Sequence, residues 1–179
     1  FDPARASANA RKLLAEGAEV LFGFIGAASA AAGAAVAQSE GAIFFAPFAA
    51  SDALREASQA HVFLVRPSLS DGAFKTVRHA ATLGQTRIAV VAEDDAMGRA
   101  GTAAVQAAMA ELKLPAPVAV AVVPVNSDKV DAAVASLLRS QAQAVILVSL
   151  FNSSAAVIRK ARAGGFSGTF MAFSVVGID

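Results

Sequence analysis

The sequence predicts an α/β protein built on parallel sheets that are flanked by helices. Short uninterrupted apolar runs, typical of strands buried on both faces of a parallel sheet, alternate with longer segments of helical periodicity. The chain is also 56% apolar and only 16% charged over 179 residues, which is enough apolar material for a sizeable core. Strands and helices that alternate in this way imply right-handed crossovers between parallel strands.

Each element follows from local signals. Asp2 is expected to cap the first helix, with Pro3 at its first position and Gly17 stopping it. A later helix is predicted to start at the cap Ser70-Asp71 and to end at Gly84 in a left-handed C-cap. The other elements are predicted in the order strand 20–24, turn 26–29, helix 30–39, strand 42–46, helical turn 52–56, strand 61–65, strand 87–92, helix 97–113, strand 118–123, helix 128–140, strand 144–150, helix 152–163 and strand 169–174.

A domain crossover is predicted at the break Arg66-Pro67-Ser68 between a strand and a helix. Residues 1–67 are expected to form part of an N-terminal lobe and residues 68–179 part of a second lobe. Because the chain opens on a helix and stops just after a strand, each lobe is expected to lack elements and the natural protein to be longer.

Composition argues against several classes of function. The 15 basic and 14 acidic residues are scattered and give a net charge of +1, so nucleic acid is not an expected partner. There is no cysteine, and His61 and His79 have neither metal-ligand spacing nor a plausible catalytic Ser and Asp nearby. We therefore expect no cofactor, no metal and no catalytic residue. The uncharged run 20–37 is long enough to be considered as a membrane span, but its glycines and its richness in alanine favour a buried strand, a turn and a packed helix.

Ligands of open α/β sheets sit beyond the carboxyl ends of the strands, so the candidate binding loops are those that follow the strands. They are the loops 26–29, 47–51, 93–98, 150–154 and 174–177. The loop 26–29 presents small residues before a helix, so backbone N–H groups and Ser29 could hold a carboxylate; alternatively, Gly23 and Gly26 only allow tight packing. The acidic loop 93–95 lacks the partners of a phospho-receiver site and is expected to be solvated and to cap the next helix. Aromatic residues that could line a pocket are Phe44, Phe45, Phe48, Phe151 and Phe173, of which the first two are predicted core residues.

Taken in order, several segments resemble the type I periplasmic binding proteins, in the leucine/isoleucine/valine-binding branch. They are DPARASANARKLLAEGAEVLFGFIG, SEGAIFFAPFAASDALRE, VFLVRPSLSD, RIAVVAEDDAMGRAG and VIRKARAGGFSGTFMAF. No single motif is diagnostic, but their order and spacing match over essentially the whole chain. The resemblance implies two Rossmann-like lobes, each incomplete here.

The resemblance also implies a hinged clamp, not an enzyme, that closes on a small carboxylate or amino-acid-like solute. Such a protein works in the periplasm as a monomer and delivers its ligand to an ABC permease in the inner membrane. The alternatives are a ligand-sensing domain of a receptor or regulator, or an α/β enzyme. The ligand positions implied by the resemblance are Ala27, Ala28, Ser29, Phe48, Ala49, Ala50, Met97, Leu150 and Ser174.

Several of these residues differ from those of amino-acid binders in the family. Ala27 and Ala50 match positions that carry hydroxyl groups, and Met97 and Leu150 match positions that often carry aromatic residues. Ser174 matches the acidic residue that pairs with the ligand's ammonium group. Burying the ligand's ammonium group without this partner would cost binding free energy on the order of several kcal/mol, as for any unpaired buried charge. An apolar or non-amino ligand is therefore expected.

Overall fold

The computed structural model describes residues 2–173. The chain divides into two compact units, the first ending at Ser68 and the second beginning at Leu69. One unit contains a three-stranded sheet and the other a four-stranded sheet. Every strand pair among the described residues is parallel and helices flank both sheets, so the predicted α/β class is confirmed.

The first unit consists of two helices, three short strands and two 3₁₀ turns. They are α1 (Pro3–Ala15), β1 (Val20–Phe22), α2 (Ala27–Glu40), β2 (Ile43–Phe45), the 3₁₀ turns Asp52–Arg55 and Ala57–Gln59, and β3 (Val62–Phe63). The sheet order is β1-β2-β3. Leu21 and Phe44 lie buried on the face that α1 and α2 cover. A Cβ atom on Gly33 would come within 2.7 Å of the Phe44 ring, so glycine allows α2 to lie this close to the sheet.

The opposite face of this sheet is not covered by any helix among the described residues. Its side chains follow the parallel register, in which Val20 pairs with Ile43, Phe22 with Phe45 and Phe45 with Phe63. These five residues are between 41% and 69% exposed. The rings of Phe22 and Phe45 stack with their centroids 6.0 Å apart. The prediction that Phe44 and Phe45 belong to the core is therefore correct for Phe44 and wrong for Phe45.

In the second unit, the crossovers between strands run in both directions along the sheet. Its elements are α3 (Leu69–Thr82), β4 (Ile88–Glu93), α4 (Ala96–Glu111), β5 (Ala119–Val123), α5 (Asp131–Arg139), β6 (Ala144–Val148), α6 (Phe151–Ala163) and β7 (Thr169–Ala172). The order β5-β4-β6-β7 places β5 on one side of β4 and β6 on the other. Residues of α3 and α4 pack on one face of the sheet and residues of α5 and α6 on the other, so β4 and β6 are buried throughout.

The helix ends explain which local signals were reliable. Asp2 accepts hydrogen bonds from the N–H groups of Ala4 and Arg5, as its cap position predicts. Gly84, with φ of 73°, ends α3, and the N–H of Gln85 donates to the carbonyl of Ala80 in the manner of a Schellman motif.

Several boundaries differ from the sequence prediction. The predicted turn 26–29 is wrong because α2 already begins at Ala27. Ser70 and Asp71 lie inside α3, which begins at Leu69, so they do not precede it as caps. The helix predicted from residue 128 begins only at Asp131, and the strand predicted for 61–65 is reduced to Val62–Phe63. The run 20–37 falls on β1 and α2, and within residues 2–173 no helix combines the length and the apolar character needed to cross a membrane.

Candidate functional site

In the first unit, the loops that follow β1 and β2 are bonded to each other at the carboxyl edge of the sheet. The N–H of Phe48 donates to the carbonyl of Phe24 at 2.7 Å, and the N–H of Gly26 donates to the carbonyl of Phe48 at 3.0 Å. Gly26 has φ of 89°, a left-handed conformation that favours glycine. The structure thus brings together two of the predicted binding loops.

The helix that leaves this edge has an open N-terminus. Gly26 is the N-cap of α2 and offers no side-chain hydrogen bond to the first turn. Ala27 and Ala28, the first two helical residues, are exposed, whereas Ser29 is buried. The first N–H groups of a helix carry partial positive charge and can bind an anion by donating hydrogen bonds to it. Ser29 is 7% exposed, so the backbone, rather than this hydroxyl, is the accessible donor.

The neighbouring loop, which follows β2, is contacted by Arg66, a residue that sequence reasoning missed. Phe48 is 42% exposed, Ala49 is buried and Ala50 is half-buried. The guanidinium carbon of Arg66 lies 3.9 Å from the centroid of the Phe48 ring, a cation–π contact. An Nη of Arg55 donates to the carbonyl of Arg66. The sequence pattern indicated only a role in the domain crossover for Arg66, since the contact joins residues eighteen positions apart.

In the second unit, the strand order reverses between β4 and β6, and ligands of open α/β sheets bind at such a switch point. Two of the predicted site residues flank it. Met97 lies in the first turn of α4, Leu150 is the N-cap of α6, and both are half-buried. Phe151, at the start of α6, is 60% exposed, whereas Phe173 is buried in the core beneath α3. Ser174 lies outside the described residues.

The two helix N-termini at this switch point differ. Asp95 caps α4, its carboxylate accepting a hydrogen bond from the N–H of Gly98 at 2.7 Å. The N-cap of α6 is Leu150, which provides no such bond. A Cβ atom on Gly98 would lie 1.9 Å from the carbonyl oxygen of Glu93, so the turn between β4 and α4 closes only around glycine. Of the two helices, α6 therefore has the open N-terminus.

A buried carboxylate lies at the same edge. Glu93, the last residue of β4, is 1% exposed. Its Oε1 accepts hydrogen bonds from the N–H of Asn126 at 2.7 Å and from the hydroxyl of Ser153 at 2.6 Å. The N–H of Ser127 donates in turn to Ser153 Oγ at 2.9 Å. The other carboxylate oxygen of Glu93, Oε2, is buried and has no hydrogen-bond partner within residues 2–173. One oxygen thus connects the end of β4, the loop after β5 and the first turn of α6.

The expectation of a solvated acidic loop is wrong for Glu93 and correct for the next two residues. Asp94 is exposed and pairs with Arg99 at 3.4 Å, and Asp95 caps α4 as predicted. The error arose because the partners of Glu93 lie 33 and 60 residues further along the chain. A second buried pair joins the hydroxyls of Ser149 and Ser154 at 2.7 Å. The signal that could have found this cluster is the concentration of serines around the start of α6.

The histidines have structural positions. The Nε2 of His61 is 2.8 Å from the carbonyl oxygen of Ala34, and His79 is exposed near the end of α3. Within the part of the chain that the structure describes, no three His, Cys, Asp or Glu residues group in a way that could hold a metal ion.

The architecture and the whole sequence agree with one protein family. The family model described as periplasmic binding protein matches residues 1–179. The chain belongs to this family. No curated protein matches the sequence. Among solved structures, a possible leucine/isoleucine/valine-binding protein from Rhodopirellula baltica SH 1 is 26% identical, with a TM-score of 0.81 over 99% of this chain and 49% of its own. The predicted likeness to this branch is thus confirmed.

Two further solved structures share the fold at lower identity. A leucine-binding protein from Thermotoga maritima MSB8 is 17% identical, with a TM-score of 0.82 over 98% of this chain and 50% of its own. A solute-binding protein of an ABC transporter from R. palustris, in complex with benzoate, is also 17% identical, with a TM-score of 0.82 over 98% of this chain and 49% of its own. The chain spans about half the length of these solved relatives.

Proposed function

We propose that the chain is part of an extracytoplasmic solute-binding protein that captures a small carboxylate or amino-acid-like ligand with two lobes and delivers it to an ABC permease. We assign residues 1–67 to one lobe and 68–179 to the other. The family, together with similar solved structures that are named as binding proteins, supports binding without chemistry. The periplasmic location, the permease partner and the monomeric state belong to the same proposal.

The observation that carries the proposal is the open N-terminus of α2. Ala27 and Ala28 present it to solvent, and Gly26 leaves its N–H groups without a side-chain cap. It starts at the carboxyl edge of the sheet, where ligands of this fold class bind. We propose that a ligand carboxylate binds there through the backbone, next to Phe48. The open N-terminus of α6, at Leu150, is the corresponding contact in the other lobe.

The side chains at these positions favour a ligand with an uncharged tail. Ala27, Ala50 and Met97 add no charge or hydroxyl group, and Glu93, the acidic side chain at the end of β4, is buried with one oxygen already bonded twice. Burial of apolar surface contributes about 25 cal/mol per Å². An unpaired buried ammonium would subtract more than a small tail could contribute. A small aliphatic or aromatic carboxylate is therefore the proposed ligand class. Ser174 is assigned to the position where amino-acid binders carry the acidic partner of the ammonium group.

Ala28→Asp tests the anchor. A carboxylate in the first turn of a helix is favourable for the helix itself, so the fold should be kept. It would repel the ligand's carboxylate, and the Kd should rise at least about tenfold, or about 1.4 kcal/mol. The matched control is Ala35→Asp, which adds the same charge at an exposed position further along α2. Equal Kd values for the two variants would contradict the anchor. Gly26→Val is a weaker test, because φ of 89° would strain valine even without a ligand.

The ligand class is tested by calorimetric titration of the complete, ligand-stripped protein. Leucine, isoleucine, valine, their deaminated acids and several aromatic carboxylates are compared in one buffer. The deaminated acids should bind more tightly than the amino acids, because Ser174 stands at the position where amino-acid binders of this family carry the acidic partner of the ammonium group. Tight binding of leucine with no detectable binding of its deaminated acid would refute the proposed class while leaving the solute-binding function intact.

A further inference from the structure

Glu93 carries a buried charge that the proposed function does not use. Its side chain is 1% exposed, and its Oε2 has no hydrogen-bond partner within residues 2–173. The ion pairs in this part of the chain do not include it. A buried carboxylate that no cation neutralises acts strongly on its surroundings, because the effective dielectric constant inside a protein is low.

This charge lies directly against the first turn of α6. Ser153 is the third residue of α6, and its hydroxyl donates to Glu93 Oε1 at 2.6 Å. The N–H of Ser154 is bonded to the carbonyl of Leu150, so the free N–H groups of this helix are those of its first three residues. One side chain, that of Ser153, thus separates the Glu93 carboxylate from the N–H groups that would meet a ligand.

The cations of α6 do not neutralise Glu93. Lys160 pairs with Asp131 at 2.7 Å. Arg159 lines a cavity together with Asp128, and its backbone lies about 12 Å along the axis from the start of α6. Two charges therefore dominate at the start of this helix: the helix dipole, equivalent to about half a positive charge, and the full negative charge of Glu93. The negative charge is the larger of the two.

We propose that Glu93 is a specificity-determining residue, whose charge keeps the open N-terminus of α6 from binding a second anionic group. The protein then selects monocarboxylates and rejects dicarboxylates. This inference rests on the proposed function, in which the ligand's carboxylate binds at α2 and another part of the ligand meets α6. The free N–H groups of α6 can still donate to a neutral acceptor, such as the carbonyl oxygen of an amide. A second carboxylate in the same place would be repelled by Glu93.

Ligands of equal size and different charge test the proposal. Terephthalate carries a second carboxylate where its monoamide carries a neutral amide, and glutarate and its monoamide differ in the same way. The complete, ligand-stripped protein is titrated calorimetrically with both pairs, with benzoate and with the deaminated acid of leucine. In each pair the monoamide should bind at least about tenfold more tightly than the dicarboxylate, because like charges this close in a partly buried site repel strongly.

Three variants assign the discrimination to the charge. Glu93→Gln keeps an acceptor oxygen but removes the charge, and it should narrow the ratio of the two Kd values at least about fivefold. Ser153→Ala removes a hydrogen bond and keeps the charge, so it should change both Kd values in parallel and leave the ratio unchanged. Asp94→Asn removes a charge from a side chain that is 73% exposed, and it should change the ratio less than about twofold because water screens that charge. If Glu93→Gln fails to fold, Glu93→Met combined with Ser153→Ala removes the charge together with its hydroxyl partner and gives the same readout.

The outcomes separate this inference from the proposed function. An equal ratio in the unsubstituted protein and in Glu93→Gln would overturn the inference, as would tighter binding of either dicarboxylate than of its monoamide. Binding of leucine that is lost in Glu93→Gln would also overturn it, by making Glu93 the partner of an ammonium group. Each of these results leaves the binding of a carboxylate at α2 intact. If none of these carboxylates binds, the proposed ligand class fails together with the inference.

Discussion

The two sheets of this molecule are built from similar apolar runs but are buried to very different degrees. β4 and β6 are buried at every residue, whereas β1 and β2 are buried only at alternate residues. The difference follows from the direction of the crossovers. The second sheet reverses its strand order and has helices on both faces, and the first runs in one direction and has helices on one face. A run such as IFF therefore does not by itself determine whether both of its faces lie in a core.

The largest expected effect compares the two sheets directly. Ile146→Ala removes a side chain that is 0% exposed at the centre of β6, and it should lower the free energy of unfolding by about 2–5 kcal/mol. Phe22→Ala removes a larger side chain from the face of the first sheet that no described helix covers, and in the 179-residue chain it should cost about 1 kcal/mol or less, mainly through the lost stacking on Phe45. Urea denaturation of the 179-residue variants measures both. A cost for Phe22→Ala comparable to that of Ile146→Ala would mean that the face carrying Phe22 is already packed.

An intermediate effect is expected at the polar edge of the second sheet. Ser153→Ala removes the hydroxyl that donates to Glu93 and accepts from the N–H of Ser127. Leaving buried polar groups without their partner should cost about 1–3 kcal/mol in unfolding free energy. Ser167→Ala, at an exposed position in the same unit, is the matched control and should change little. If the two serine variants unfold at the same denaturant concentration, the hydrogen bond from Ser153 to the Glu93 carboxylate does not contribute to stability.

The smallest effect concerns helix caps. Asp95→Ala removes the side-chain cap of α4 and should cost about 1 kcal/mol. The N-caps of α2 and α6 have no side-chain bond to lose, so Leu150→Ala should show no capping loss. The substitution of Asp95 also tests whether this cap affects stability but not ligand binding. If the ligand uses the open N-termini of α2 and α6, Asp95→Ala should leave the ligand Kd nearly unchanged. Thermal unfolding and calorimetric titration of the complete protein measure the two quantities.

Local signals in the sequence predicted the elements but not their surroundings. Asp2 and Gly84 act as helix boundaries through bonds to residues only a few positions away, and these predictions are confirmed. The start of α2 was missed because its N-cap is Gly26, which offers no side-chain signal. The burial of Glu93 and the exposure of Phe45 depend on residues far along the chain or on elements that are not adjacent in sequence. No periodicity within a short window contains that information.

The candidate site divides in the same way. The loops at Gly26 and Phe48 were predicted as binding loops, and the structure bonds them to each other. Which backbone groups stay open could not be predicted, since it depends on whether a cap such as Asp95 reaches its target. The contact between Arg66 and Phe48 was likewise hidden, because a cation–π contact leaves no spacing pattern in the sequence.

The two hydrogen bonds that end on Glu93 Oε1 have a consequence for hydrogen exchange. Asn126 lies on an exposed loop, and the amides of such loops ordinarily exchange rapidly with deuterated solvent. Its amide hydrogen is bonded to a buried oxygen, and that of Ser127 is bonded to the hydroxyl that meets the same oxygen. Both hydrogens can exchange only when the loop separates from the end of β4 and the start of α6. These two amides should therefore exchange slowly while their exposed neighbours exchange fast, and their rates report how often that edge of the sheet opens.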